Sequence, residues 1–539
     1  MLLENVKLPA IQPFTSSYLK EDNNVLSFFH SGFTNQEVFY TRMKELQERK
    51  FHRHSLAECI DNYMADLPQS SAVKHSINKL REDGLVVIGG QQAGLLTGPL
   101  YTIHKVISII QLAKQQEKAL GHPVIPVFWI AGEDHDFLEI NHVYVENDLQ
   151  LHKKGYPERV LDKRMASATE FDRDTMKKWV RSIIREFGET THTSALLTQL
   201  DEAINQTSTI TKFFAHLIMN MFKEEGLLVI DAADLSLRKI EQPFFQQLLN
   251  ESDRITELVH KQQALVQENG FNPMIDIASN AVNLFITIED ERILLFKTEQ
   301  GYEDKSGQLV LTKEELEAVI EKSPEKISNN VVTRPMMQEW LFPSLAFVAG
   351  PGEIAYWAEL KTAFEKMEMK MPPIVPRLNI TIVERDISQK CAELQLELAT
   401  VLEHGTREQK EKYLKSVKDE TMDKYIEETE KWLEQQYEKI TSEADSMHPG
   451  LSSIVSKNLS IHQQQLAFLK KKTDDHIALK NKVMLSKYDR IASSLKPGDG
   501  PQERMWNVFY FLNRYGTDFV TQLTSIEYQF DGDHKAVSI

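Results

Sequence analysis

The chain is 539 residues long, 41% hydrophobic and 26% charged, with 79 acidic residues against 62 basic ones and a formal charge of −17. Such a composition describes a globular protein with about three domains' worth of chain, disfavours nonspecific nucleic-acid binding, and contains no apolar run near the ~20 residues that a membrane helix needs. Two cysteines, Cys59 and Cys391, provide neither a disulfide framework nor a four-sulfur zinc site, and the start MLLENVKLPA lacks a basic segment followed by an apolar one, so a cytoplasmic protein is expected.

Residues 1–80 predict mainly helix: FHSGFTNQEVFYTRMKEL and LAECIDNYMADL repeat apolar residues at helical spacing and show no strand alternation. Next comes LVVIGGQQAGLLTGPLYTIHK, residues 85–105, which predicts a buried strand, a glycine-rich turn and a helix start. Gly89, Gly90, Gly94 and Gly98 allow a sharp turn and close approach to a ligand, Thr97 is the expected cap, and Pro99 falls in the first helical turn. A helix N-terminus beside such a turn offers free N–H groups, and an anion is the expected guest. Neither GxxxxGK[ST] nor GxGxxG is spelled out, so glycines placed for packing satisfy the spacing equally; the polar heads of Gln91, Gln92, Thr97, Tyr101, His104 and Lys105 favour a ligand site.

Residues 124–130 predict a second buried strand, and the helix between the two makes parallel pairing the natural assignment. Glu133, Asp134, His135 and Asp136 follow at its carboxyl end, where open parallel sheets bind ligands. Four adjacent ionisable groups cannot face one point, so one or two are expected to act and the others to cap or face solvent. Residues from about 145 to 225 read as a polar, helical insertion, with RDTMKKWVRSIIREF its clearest amphipathic segment; GLLVID at 226–231 returns to a buried strand. A hairpin in NAVNLFITIEDERILLFK around Glu289 and Asp290 marks a second excursion, about 235–330, or the antiparallel edge of the main sheet.

The stretch NNVVTRPMMQEWLFPSLAFVAGPGEIAYWAELK, residues 329–361, repeats the strand–turn–helix logic. Residues 345–349 are the strand, Gly350, Pro351 and Gly352 the turn, and Glu353 opens a helix carrying Tyr356 and Trp357, while Arg334 and Gln338 lie upstream. Arg334 could clamp a carboxylate or phosphate, or be a surface residue beside a packing turn. PPIVPRLNITIVE supplies a last strand-like segment, with Arg377 and Asn379 near its end. Beyond residue 385 a Lys/Glu-rich, Gly-poor region begins. Thr406 and Gln409 form a capping-box pattern, Ile426, Leu433, Ile440 and Met447 recur every seven residues, and Ile477, Met484 and Ile491 resume that spacing past Pro449 and Gly450. Two long antiparallel helices are expected over residues 386–496, the first from 406 to 447, with the seam buried against the return helix and a second subunit. In the closing segment, residues 497–539, Gln502, Glu503 and Arg504 open an aromatic helix expected to pack on the core.

Together GGQQAGLLTGPLYTIHK, WIAGEDHDF, NNVVTRPMMQEW, AGPGEIAYWAELK and PQERMWNVFYFLNRYG resemble, over essentially the whole chain, the BshC family of cysteine-adding enzymes of bacillithiol biosynthesis. The resemblance implies an α/β fold: a Rossmann-type parallel sheet over residues 1–385, related to class I aminoacyl-tRNA synthetases and nucleotidylyltransferases, with connecting-peptide-like insertions and a coiled-coil arm for homodimerisation. It implies addition of L-cysteine to glucosaminyl-malate through an amide bond. Neither HIGH nor KMSKS is present; Thr97, Gly98, His104 and Lys105 stand loosely where a HIGH-like element would.

A carboxylate is a poor acyl donor, so ATP is the expected cofactor, with or without Mg²⁺. In this reading the turn 89–98 binds phosphates, Lys105 and Arg334 offset charge, and one of residues 133–136 deprotonates the amine, binds Mg²⁺ or recognises the cysteine ammonium. Gln338, Gly350, Gly352, Glu353, Tyr356, Arg377 and Asn379 are further nucleotide or substrate contacts. Two alternatives carry the same sheet: a nucleotidyltransferase acting on another small acid, told apart by the substrates consumed, and a nucleotide-binding scaffold, told apart by binding without turnover.

Overall fold

The structure, a computed structural model, describes every residue except 11, 158–163 and 419; part of the expected insertion and one position of the expected first arm helix therefore lie outside the described residues. The chain forms two compact units, Met1–Val383 with Gly500–Ile539, and Glu384–Asp499.

The first unit is built on a five-stranded parallel sheet. Its strands are β1 (Leu85–Gln91), β2 (Val124–Ile130), β3 (Leu228–Asp231), β4 (Ser344–Ala349) and β5 (Ile374–Pro376), in the order β5-β4-β1-β2-β3. β1 and β2 pair along their whole length, from Leu85 opposite Val124 to Gln91 opposite Ile130. Their apolar, β-branched runs lie buried because helices cover both faces of such a sheet. The helix α1 (Leu100–Leu120) connects β1 to β2, and its C-terminus closes at Gly121 in the left-handed conformation.

The order fixes where a ligand belongs. From β1 the chain moves outward to β2 and β3, then returns on the other side of β1 to lay down β4 and β5. The reversal opens a crevice between the carboxyl ends of β1 and β4.

Several expected elements change. Residues 1–80 are helical as expected from Pro13 onward, but Leu2–Val6 is a strand, paired antiparallel with His534–Ser538, which in turn pairs parallel with Ile380–Val383. Of Leu2–Val6 only Val6 is buried, so the segment had no alternation to show. The insertion expected to be helical from residue 145 begins with a hairpin, His142–Asn147 and Gln150–Gly155, turned at Asp148 and Leu149 with φ of 50° and 62°. The hairpin around Glu289 and Asp290 is present, as Ala281–Ile288 and Glu291–Thr298, in a separate five-stranded antiparallel sheet rather than at the edge of the main one. The single last strand is two: β5 in the main sheet, and Ile380–Val383 in the sheet that joins the chain ends. The aromatic closing helix is divided into Gln502–Met505 and Val508–Tyr515, with Asn507 capping the second through Phe509 N–H.

The second unit is helical. The expected helix over 406–447 is two, Arg407–Ser416 and Glu420–Met447, and Thr406, though at the N-cap position, makes no side-chain cap: its hydroxyl donates to the Tyr488 carbonyl at 3.0 Å. Glu420–Met447 turns at residues 448–450 into Leu451–Lys480, and the two run back along each other, with Gln463 donating to Glu434 and Lys470 facing Glu427. Ile426 is buried in that pairing, but Ile440 and Met447 are 47% and 72% exposed, so the seven-residue seam is only partly covered by the return helix. Among the described residues no helix is long and apolar enough to cross a membrane.

Candidate active site

A cleft of about 400 Å³ opens at the β1/β4 reversal. Its floor comes from strand ends: Gly90 and Gln91 closing β1 with Gln92 after it, Ala131 after β2, Gly350 after β4 and Arg377 after β5. Trp129, Phe347, Met274, Ile275 and Val331 form apolar walls. A larger groove, about 670 Å³, lies along the C-terminal half of α1, where Gln115 donates to the Tyr528 carbonyl at 2.7 Å and Gln36 and Gln116 bond each other. The smaller cleft gathers the ionisable groups.

Lys105 is the central cation. Its ammonium donates to the Gly90 carbonyl at 2.7 Å and to the Glu353 carboxylate at 2.5 Å, tying β1 to the helix Pro351–Trp357. Glu353 in turn accepts from Gly350 N–H at 2.6 Å. Burial lowers the Lys105 pKa; Glu353 opposes that shift, and Arg377 and Arg334 add to it. Arg334 lies at the wall and donates to the Tyr356 hydroxyl at 2.7 Å; burial, only partly offset by Arg334, pushes that phenol up to about 12. Arg377 makes two charge-assisted bonds to Glu503, at 2.5 and 2.6 Å, while its backbone N–H holds the Ala349 carbonyl.

The opposite charge sits across the cleft. Gln92 donates to Asp134 at 2.6 Å, and the backbone N–H groups of His135 and Asp136 also point at that carboxylate. Burial raises the Asp134 pKa, yet the Gln92 amide, Arg292 and those N–H groups outweigh it and hold Asp134 below the ordinary aspartate value. Glu139, also on the cleft, moves the other way, raised chiefly by burial, with Gln92 opposing the rise. Two carboxyl groups lining one cleft are thus pushed apart, the pattern of an acid and a base with separate tasks.

Gly90, Gln91, Gln92, Tyr101, Lys105, Asp134, Arg334, Gln338, Gly350, Gly352, Glu353, Tyr356 and Arg377 all line this one cleft. Other residues expected in it lie elsewhere. Glu133 is buried in an ion pair with Arg238, which also holds Glu241, while His135 and Asp136 serve the Asp134 turn through their backbone. His104 is fully buried behind Arg377, its Nδ1 3.2 Å from Glu503. Asn379 lends its carbonyl to Lys535 N–H and does not line the cleft.

The glycine turn is also different. A Cβ on Gly89 would lie 2.9 Å from the Val348 carbonyl and one on Gly90 2.8 Å from that of Trp129, so neighbouring strands demand these glycines. Gly94 packs on Gly98, and Thr97, at φ 67°, is fully buried inside the turn rather than capping α1. The first N–H of α1, from Leu100, is already bonded to the Trp506 carbonyl at 2.9 Å. Gly352, by contrast, has open space where a Cβ would stand. Among the described residues no three His, Cys, Asp or Glu side chains converge as a metal site.

Unforeseen contributors are Glu139, Arg504, Met274 and Ile275, with Glu503 and Arg238 behind the wall. Glu139 lay three residues beyond a flagged cluster; Glu503 and Arg504 stood in a motif read only as a helix start.

The profile described as "Bacillithiol biosynthesis BshC, N-terminal Rossmann-like domain" matches residues 1–378, and the "C-terminal coiled-coil domain" of the same family matches 380–539. The chain belongs to the BshC family. Proteins named "Putative cysteine ligase BshC" from Geobacillus thermodenitrificans, Bacillus licheniformis and Bacillus cereus strain AH187 are 41%, 40% and 38% identical to it, each comparison covering 100% of both chains. In BshC terms, the cleft belongs wholly to the first unit, and residues 500–539, matched with the coiled-coil part, fold with the Rossmann-like one.

Proposed function

We propose that the protein joins the carboxyl group of L-cysteine to the amine of glucosaminyl-malate, with ATP supplying the activation that a carboxylate lacks in water. The observation that carries this reading is the division of charge in one cleft at the sheet's reversal point, with Lys105, Arg334 and Arg377 facing Asp134 and Glu139. Anionic groups of the substrates and of ATP go to the cations, with Lys105 nearest the turn 350–352 where Gly352 leaves room. Asp134, held ionised, binds an ammonium group. Glu139, with its raised pKa, takes a proton from the attacking amine. Gln92, by donating to Asp134, favours the ionised form that ammonium binding needs.

The test is incubation of purified protein with cysteine, glucosaminyl-malate and ATP, followed by mass spectrometry for a new thiol. AMP release assigns adenylation and ADP release an acyl phosphate; no thiol product refutes the assignment.

We also infer that two copies associate through the second unit. Ile454, Ile461 and Phe468 recur every seven residues on the return helix Leu451–Lys480, with Ile440 and Met447 on the helix before it, and each is 46–72% exposed.

A further inference from the structure

The short helix Gln502–Met505 is fixed to the cleft by its side chains. Gln502 holds both backbone groups of Ile382, accepting from N–H and donating to C=O at 2.8 Å each. Glu503 takes Arg377 in a two-point clamp and meets His104. Just beyond the helix, Asn507 donates to the carbonyls of Leu96 and Gly98 at 2.8 and 2.7 Å. Between these anchors Arg504 reaches the cleft wall, exposed, and among the described residues its guanidinium has no hydrogen-bond or ion partner. An exposed arginine is ordinarily a solvated one. This one stands in a concave site, on backbone immobilised on both sides, in a chain with 79 acidic residues available to pair it. The ordering entropy of its backbone is already spent, which is what a built binding contact needs.

The clamped Arg377 lines the same cleft, as does Tyr101, on whose phenol the charges of both guanidinium groups bear. We propose that Arg504 is a specificity-determining contact that, beside Arg377, receives an oxyanion of a substrate, carboxylate or phosphate, and that Glu503 is the positioning residue keeping Arg377 in reach. The planar fork of a guanidinium suits either anion through two parallel bonds. This inference rests on the proposed function only for the identity of the substrates.

The experiment compares wild type with Arg504→Met and Arg504→Lys in the thiol-forming assay, and measures binding of ADP and of malate, separately, by calorimetry. In Arg504→Met one KM rises at least tenfold while kcat stays within threefold and the other two KM values within twofold. A rise for glucosaminyl-malate identifies a carboxylate, and a rise for ATP a phosphate. Arg504→Lys recovers part of the loss. Glu503→Gln raises the same KM, and Glu503→Asp does so less; if Glu503→Gln does not fold, the Arg504 variants decide alone. Equal effects on all three substrates, or none on any, overturn the proposal. Should wild type make no thiol, the proposed function fails while this inference is judged on binding. A tenfold affinity loss for one probe in Arg504→Met upholds it; unchanged affinities, or no binding of either probe to wild type, overturn it.

Discussion

Lys105→Met separates the chemistry of the cleft from its architecture. Methionine matches the stem of lysine and removes the ammonium alone. Two bonds are lost, to the Gly90 carbonyl and to Glu353. Breaking a fully buried ion pair costs about 3–5 kcal/mol, because the remaining charge is stranded. Here the Glu353 side chain is 21% exposed and keeps its bond to Gly350 N–H, so the cost should fall to about 1–3 kcal/mol. Against a negative charge developing near 4 Å, a cation at an effective dielectric of 20 is worth about 4 kcal/mol. Loss of one such preorganised group lowers rates by about 10²–10³. The expected result is a variant with a Tm lowered by a few degrees and a kcat/KM lowered by two to three orders of magnitude. Since burial lowers the Lys105 pKa, wild-type activity should fall as pH rises toward, but short of, the ordinary lysine value of about 10.4, and the variant should lack that limb. A folded Lys105→Met enzyme within threefold of wild-type kcat/KM at pH 7.5 would refute the assignment.

Arg238→Met leaves Glu133 and Glu241 buried without their shared cation, and should cost about 3–5 kcal/mol or abolish soluble expression; a Tm within 1–2 °C of wild type would mean that the pair is relaxed in solution. Burial raises the Glu503 carboxyl, but Arg377 and His104 outweigh it and hold it below the ordinary value. Stability from this group is therefore full above about pH 4.3 and is lost as pH falls through the depressed value; differential scanning fluorimetry should show a steeper acid decline for wild type than for Glu503→Gln. Phe468→Asp places a charge on the exposed apolar row of the second unit and should halve the mass seen by light scattering without changing helical circular dichroism; an unchanged mass argues against association through that row.

What could be read in the sequence follows from where the information is local. Residues 85–88, 124–130 and 345–349 are continuously apolar because both faces of a parallel strand are covered, and that signal needs no knowledge of the partner strand. The turn at Glu289 and Asp290 was legible for the same reason, since two left-handed residues between alternating runs define a hairpin by themselves. Leu2–Val6 was not: it is a strand only because residues 534–538 lie beside it, more than five hundred positions away. The missing side-chain cap at Thr406 was hidden as well, because a capping-box pattern states what Thr406 is able to bond, while the folded chain gives its hydroxyl to Tyr488.

The candidate site divides along the same line, and the glycines show why. A glycine in a turn after a buried strand is required wherever backbone comes too close for a Cβ, and sequence cannot say whose backbone that is. At Gly89 and Gly90 it is the neighbouring strands, so the motif that pointed to a phosphate was recording sheet packing. Helix α1 likewise has its first N–H satisfied by Trp506, whereas Gly352 on the second turn faces open space. The proposed anion binding therefore rests less on the turn at 89–98 than on side chains: Lys105, Arg334 and Arg377, each steered by a partner from another segment. Glu503 lies 126 residues from the Arg377 it holds, and no periodicity or motif encodes that distance. Strand ends fix where the cleft is, and these long-range ion pairs fix which cations in it are already neutralised. The proposed anion site therefore rests on charge balance across the folded cleft rather than on the motif that led to it.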